Sequence, residues 1–160
     1  MLKSLSISVA ALAVCATGAV SAQNIFGDPN SGTVVLEAGF PDDPHTVELV
    51  SGGSINAEEA IGNCSGYISE DPDVRLTFTR DETHDALPLF ISVRADGDTT
   101  LVINAPDGNW YCNDDGQGEG VNPSVVFGPA QSGDYEIWVG SFEEGEFIDA
   151  QLDISGLGGQ

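Results

Sequence analysis

The segment DVRLTFT, residues 73–79, indicates the fold class of this chain. Its apolar side chains occupy every second position, and polar or charged side chains occupy the positions between them. Successive side chains of a β-strand point to opposite faces, so this alternation predicts a strand with one face in a core. Residues 134–140 (DYEIWVG) and 150–155 (AQLDIS) show the same pattern. The sequence therefore predicts half-buried β-structure.

Five other short segments have the composition of strands, and turn-forming residues separate them. They are residues 33–38, 45–50, 87–94, 99–104 and 123–127. Only residues 56–61 have a pattern that fits a helical turn. Roughly eight or nine short strands at this spacing, without a long helical segment, are typical of an all-β fold with two packed sheets. We therefore predict an antiparallel, jelly-roll-like β-sandwich.

Residues 1–22 have the pattern of a secretory signal peptide. An early Lys3 precedes an apolar run, and Val20 and Ala22 form a small-residue cleavage site. Cys15 offers a lipoprotein signal as an alternative, although no small residue stands directly before it. No later segment reaches the roughly eighteen consecutive apolar residues of a membrane span. We expect an exported protein, periplasmic or extracellular, without a membrane partner after signal removal.

The residues that follow the signal fit a single domain. We expect this domain to cover residues 33–155, between flexible flanks at residues 23–32 and 156–160. The whole chain carries 26 Asp and Glu residues against 4 Lys and Arg residues, which gives a net charge of -22. Such a surface repels nucleic acid and attracts cations, so we expect no nucleic-acid partner. Solubility and local cation binding both remain explanations of the charge.

Two cysteines, Cys64 and Cys112, remain once the signal peptide with Cys15 is removed. Thiols in an oxidising compartment pair, so we predict one structural disulfide between them. Closing a loop of this length stabilises a protein by about 4 kcal/mol in the chain-entropy model. A redox pair would favour C-x-x-C spacing, and a zinc site would need ligands that His45 and His84 do not easily complete.

Three segments in the second half of the chain resemble bacterial pre-peptidase C-terminal domains. They are residues 98–115 (DTTLVINAPDGNWYCNDD), 122–127 (NPSVVF) and 132–140 (SGDYEIWVG). The resemblance extends from about Gly39 to Ile154. It implies a jelly-roll-like β-sandwich that is not itself catalytic.

A narrower resemblance rests on GNCSGYI (62–68), PDVRL (72–76) and WYCNDD (110–115). These motifs are similar to those of small secreted proteins of Gram-negative bacteria that carry this sandwich alone or in tandem. Some of those proteins are described as trypsin-like serine peptidases. A serine peptidase needs a nucleophilic Ser on a Gly-rich turn, a His base and a buried Asp. This chain has neither G-D-S-G nor G-x-S-x-G, and both histidines stand beside acidic turn residues. We therefore predict a protein that is not an enzyme.

The acidic, Gly-rich segment 107–123 is a candidate calcium site, because calcium prefers six to eight oxygen ligands from irregular loops. The candidate ligands, including the preceding turn, are Asp96, Asp98, Asp107, Asn113, Asp114, Asp115 and Glu119. The spacing of an EF-hand is not met. Asp and Gly also suit tight turns, so a solvated turn is the alternative.

Two tryptophans offer a different binding chemistry. Trp138 is predicted on the strand face opposite Tyr135 and Ile137, and Trp110 lies near Cys112. Either ring could stack on a sugar, or both could pack in the protein. The sequence predicts a secreted, non-catalytic binding or interaction module with an unknown protein or glycan partner and calcium as a candidate stabilising ion. The alternatives are a protease-associated accessory or structural domain acting with a partner polypeptide, and a carbohydrate-binding module.

Overall fold

The computed structural model describes residues 23–81, 87–116 and 120–157. Within these ranges the chain forms eleven strands and one short helix. The strands are β1 (Thr33–Glu37), β2 (His45–Ser51), β3 (Ile55–Asn56), β4 (Tyr67–Ile68), β5 (Val74–Thr79), β6 (Leu89–Ala95), β7 (Thr99–Asn104), β8 (Trp110–Asn113), β9 (Ser124–Phe127), β10 (Gly133–Ser141) and β11 (Ile148–Ser155). The helix, α1, spans Ala57–Ile61.

The strands form two packed sheets. The seven-stranded sheet has the order β1-β5-β10-β4-β3, with β7 paired to β10 and β8 paired to β7. The four-stranded sheet has the order β2-β11-β6-β9. The all-β sandwich is confirmed, and the pairs are antiparallel with one exception, since β1 runs parallel to β5. A parallel pair needs a crossover rather than a hairpin, and residues 38–73 supply it.

All eight predicted strands are present, and the helical turn is confirmed as α1. Asn56 caps this helix, because its Oδ1 accepts hydrogen bonds from the backbone N–H groups of Glu58 (3.0 Å) and Glu59 (3.2 Å). The sequence did not predict β3, β4 or β8. The first two contain two residues each and show no periodicity, while β8 lies inside the acidic segment that was interpreted as a loop.

The main core fills the space between the two sheets. Alternate residues of the central strands are fully buried there, among them Leu76, Ile91, Ile103, Ile137 and Leu152. Burying each such side chain contributes about 1.5–3 kcal/mol before the entropic cost of ordering the chain.

A second hydrophobic cluster lies on the outer face of the seven-stranded sheet. This outer cluster consists of Ala57, Cys64, Ile68, Val102 and Trp138. Residues 57–66, which lie between β3 and β4 and which we call the cap segment, cover part of that face. The predicted disulfide is confirmed, since Cys64 and Cys112 are joined with an S–S distance of 2.03 Å and tie the cap segment to β8.

Hydrogen bonds join the N-terminal segment 23–32 to the rest of the domain. The backbone N–H of Asn30 donates to the carbonyl of Pro72 at 2.9 Å, and Arg75 Nη2 donates to the carbonyl of Gly27 at 3.0 Å. These contacts were not predicted, because the partners are distant in sequence. At the other terminus, the Gly156 N–H donates to Asp43 Oδ2 at 2.9 Å, while residues 158–160 lie outside the described residues.

Candidate functional site

Three loops that carry many of the acidic residues meet at one end of the sandwich. They follow β6, β8 and β10 and comprise residues 96–98, 114–123 and 142–147, of which 117–119 lie outside the described residues. The strand pairing places them together, because Ser141 pairs with Thr99 and Leu101 pairs with Asn113. We call this end, with these three loops, the acidic end.

Hydrogen bonds join the loops of the acidic end to one another. Thr99 Oγ1 donates to Asn122 Oδ1 at 2.9 Å, and Asn122 Nδ2 donates to the carbonyl of Ala95 at 2.8 Å. The Phe142 N–H donates to the carbonyl of Asp98 at 3.1 Å. These bonds fix the backbone on which the acidic side chains stand.

The pKa of Asp98 reflects the concentration of negative charge at this end. Partial burial raises the pKa of its carboxyl, and the negative charges of Asp115, Asp114, Glu143 and Glu146 raise it further. A nearby cation would stabilise the ionised form of such a carboxyl, because the cation offsets the repulsion between like charges. This end of the sandwich is therefore a region of concentrated negative charge.

The structure brings together five of the seven predicted cation ligands, Asp96, Asp98, Asn113, Asp114 and Asp115, at or beside the acidic end. Glu119 lies outside the described residues. Within the part of the chain that the structure describes, no group of three or more His, Cys, Asp or Glu side chains could hold a metal ion. The described carboxylates thus form a negative surface, and they do not form a closed coordination shell.

Asp107 does not belong to this group. It lies in the turn between β7 and β8, at the opposite end of the sandwich from Asp114. Its carboxylate accepts hydrogen bonds from the Asn109 N–H (2.9 Å), Asn109 Nδ2 (2.9 Å) and the Tyr111 hydroxyl (2.7 Å), which lower the pKa of Asp107. The grouping of Asp107 with the loop after β8 is therefore corrected, because β8 separates them, and Asp107 stabilises its own turn.

Two exposed phenylalanines flank the acidic loop between β10 and β11. Phe142 is 40% exposed and Phe147 is 69% exposed, and three glutamates lie between them in the sequence FEEGEF. Aromatic residues are enriched at protein interfaces, where they act as anchors within a polar rim. The sequence analysis missed these residues, although an aromatic at each end of an acidic turn was a visible signal.

The tryptophans do not form the exposed stacking surface that was considered. Trp138 projects from the predicted face of β10 but is fully buried in the outer cluster, so a ligand cannot stack on it. Trp110 is half-buried and packs against Trp138 with ring centroids 5.4 Å apart. Of the two alternatives for Trp138, the structure has the ring packed in the protein, because the cap segment covers this part of the outer face.

The rest of the outer face is open and forms a groove of about 610 Å³, which we call the outer groove. It is lined by Ile25, Phe26, Arg75, Asn104, Ala105, Pro106, Gly108, Ser132, Gly133, Asp134 and Glu136. The N-terminal segment forms one of its walls. The groove was not predicted, because strand register and the hydrogen bonds of Arg75 to the N-terminal segment form it.

These features define the class of protein: a two-sheet β-sandwich module with one disulfide, an acidic end and a groove on the outer face of its larger sheet. No protein-family model matches the chain. The chain is 32% identical over 123 residues to an uncharacterized protein of Synechococcus elongatus, covering 69% of this chain and 87% of that protein. The chain belongs to the same family as that protein.

Two solved structures have a partly similar fold. The pre-peptidase C-terminal domain of a collagenase from Bacillus anthracis gives a TM-score of 0.45 at 16% identity, covering 81% of this chain and 100% of that domain. PliG from Aeromonas hydrophila, a periplasmic inhibitor of g-type lysozyme, gives a TM-score of 0.36 at 16% identity, covering 77% of this chain and 96% of that protein. The first is of the class that the sequence motifs resemble, and we infer no function from either. None of the helices within the described residues is long and apolar enough to cross a membrane.

Proposed function

We propose that this chain is a secreted, non-catalytic β-sandwich module that binds a polypeptide partner through its acidic end. The observation that carries the proposal is the exposure of Phe142 and Phe147 on a loop whose neighbours are carboxylates. Aromatic anchors within a polar rim are common at protein interfaces. A net charge of -22 favours a partner with a basic surface.

Secretion is supported by two independent features. Residues 1–22 have the pattern of a signal peptide, and Cys64 and Cys112 are joined in a disulfide. Disulfides persist in oxidising compartments and are rare in the cytosol. The module therefore acts outside the cytoplasm, in the periplasm or the surrounding medium.

The test of binding compares the wild type with one double variant and one control variant. Partners are captured from native secreted material with the wild-type module, with Phe142→Ser/Phe147→Ser, and with Val35→Ser as a control, because Val35 is 72% exposed on a distant edge strand. Loss of one defined polypeptide in the double variant, but not in the control, supports the acidic end. Equal capture by all three proteins argues against it.

A divalent cation, with calcium as the candidate, is proposed to stabilise the loops of the acidic end. The support is the raised pKa of Asp98, which results from burial and from Asp115 and Asp114. The midpoint of thermal unfolding is measured after chelator treatment, then with millimolar calcium or magnesium at equal ionic strength. Matched ionic strength is essential because any divalent cation screens a highly charged chain.

A specific site is supported if calcium, but not magnesium, raises the unfolding midpoint and if Asp114→Asn/Asp115→Asn abolishes that rise. Asp107→Asn is the matched control, because Asp107 lies at the opposite end and should leave the calcium response unchanged. Equal responses to both cations indicate screening alone and contradict a calcium site.

A further inference from the structure

A row of polar and aromatic side chains crosses the outer face of the seven-stranded sheet. The strand register pairs Glu136 of β10 with Arg75 of β5 on one side and with Asn104 of β7 on the other, and Asn104 in turn pairs with Trp110 of β8. Directly paired residues of antiparallel strands project from the same face with Cβ atoms about 5 Å apart. The cross-strand row is therefore a guanidinium, a carboxylate, an amide and an indole ring, and its first three members line the outer groove.

Glu136 is the incompletely paired member of this row. The residue is only 7% exposed, and its Oε1 accepts a hydrogen bond from Arg75 Nε at 2.5 Å. Its Oε2 is buried and has no hydrogen-bond partner among the described residues. Buried acceptors are nearly always paired, so an unpaired one on a groove-lining residue calls for a donor from outside the fold. A small rotation of the carboxylate toward the groove would accompany that contact.

Beside Glu136, the side-chain amide of Asn104 is a donor whose present hydrogen bonds are weak. Its side chain is mostly buried, and its Nδ2 donates to the carbonyls of Gly108 and Asn109 at 3.4 and 3.5 Å. Hydrogen bonds of this length are weak, because the usual N–H···O distance is about 2.9–3.0 Å. The amide can therefore transfer its donor to a ligand at little cost.

Phe26 presents an exposed ring on an anchored backbone at the rim of the groove. Its side chain is 87% exposed, yet Arg75 Nη2 donates to the carbonyls of both neighbouring residues, Gly27 at 3.0 Å and Ile25 at 3.4 Å. The Asn24 N–H also donates to the carbonyl of Glu70 at 3.2 Å. An aromatic side chain whose backbone is already fixed loses little entropy when a ligand covers it.

From this arrangement we infer that the outer groove binds a neutral, hydroxyl-rich ligand of the saccharide class. A sugar ring has an apolar face that can lie on Phe26, and hydroxyl groups that can both donate to Glu136 and accept from Asn104. Anionic ligands are disfavoured by Glu136 and Asp134 together with the charge of the whole chain. Cations are disfavoured by Arg75 in the same row. This surface differs from the acidic end, so the inference goes beyond the proposed function.

The test titrates the exported protein with three neutral hexasaccharides, cellohexaose, chitohexaose and maltohexaose, and follows backbone amide shifts by NMR. We expect at least one of them to bind saturably at millimolar concentration or below, with shifts centred on Glu136 and Asn104. Phe26→Ala should weaken that binding and raise Kd by at least about tenfold. Glu136→Gln should weaken it as well, because the carboxylate acceptor is lost while the size of the side chain is kept.

Phe147→Ala is the matched control, since Phe147 is also an exposed phenylalanine but lies at the acidic end. It should leave saccharide binding unchanged. Both Phe variants should keep the wild-type unfolding midpoint, because neither ring is buried. The inference is overturned if no hexasaccharide binds at millimolar concentration, or if the two Phe variants lose binding equally.

Discussion

The two faces of the seven-stranded sheet bury their apolar side chains in different ways. The inner face packs along its length against the four-stranded sheet, and its residues join one large cluster. The outer face is covered around Trp138 and Val102 by the cap segment, with Ile25 of the N-terminal segment packed beside it, and is open at the outer groove. A whole sheet covers the inner face, whereas a short segment tied by a disulfide covers part of the outer face. The outer face is therefore where we expect stability to depend on a covalent link.

The largest effect should follow from breaking that link. Because Cys64 and Cys112 are separated by 48 residues, replacing both by Ala should lower the free energy of unfolding by about 4 kcal/mol in the chain-entropy model. Denaturant unfolding of the variant and of the oxidised wild type measures the difference. A reductant should destabilise the wild type and leave the variant unchanged. Two free thiols in the native exported protein would contradict this prediction.

Asp73 lies between β4 and β5 in the chain, at the point along β10 where one of these neighbouring strands replaces the other. β5 pairs with β10 up to Ile137, β4 pairs with it at Ser141, and Asp73 fills the interval. Its Oδ2 accepts a hydrogen bond from the Val139 N–H at 2.7 Å, and its own N–H donates to the carbonyl of Ile137 at 2.8 Å. Burial raises the pKa of this carboxyl from 3.8 to about 6, and the hydrogen bonds only partly offset that effect.

A raised carboxyl pKa in the folded state has a definite consequence for stability. The folded protein holds the Asp73 proton more tightly than the unfolded chain, so this contribution is fully present below pH 3.8 and is lost as the pH rises through about 6. The difference in pKa corresponds to about 3 kcal/mol. The free energy of unfolding, measured from pH 3.8 to above pH 6, should therefore fall more in the wild type than in Asp73→Asn. Parallel curves for the two proteins would show that Asp73 does not titrate in this range.

The sequence predicted the long strands because their side chains alternate locally, as in β5 and β10. Apart from the disulfide between Cys64 and Cys112, it could not predict features that depend on distant partners. The position of Trp138 on the outer face followed from alternation, but its burial depends on a cap segment that contains Ala57 and Cys64. The groove depends on strand register and on Arg75, which holds an N-terminal segment distant in sequence. Alternation shows which face a side chain occupies, and only the assembled fold shows what covers that face.

The smallest expected effect is the difference in free energy of unfolding between two Ile→Ala variants, one in each hydrophobic cluster. Ile137 in the main core and Ile68 in the outer cluster are both fully buried. Ile137→Ala should cost about 3 kcal/mol, because two rigid sheets cannot close around the cavity. Ile68→Ala should cost about 1 kcal/mol less, because a short cap segment can settle into the space that the side chain leaves. Equal losses of free energy in denaturant unfolding would mean that the disulfide holds the cap segment as rigidly as a sheet. The two faces would then differ only in how much of their area is covered.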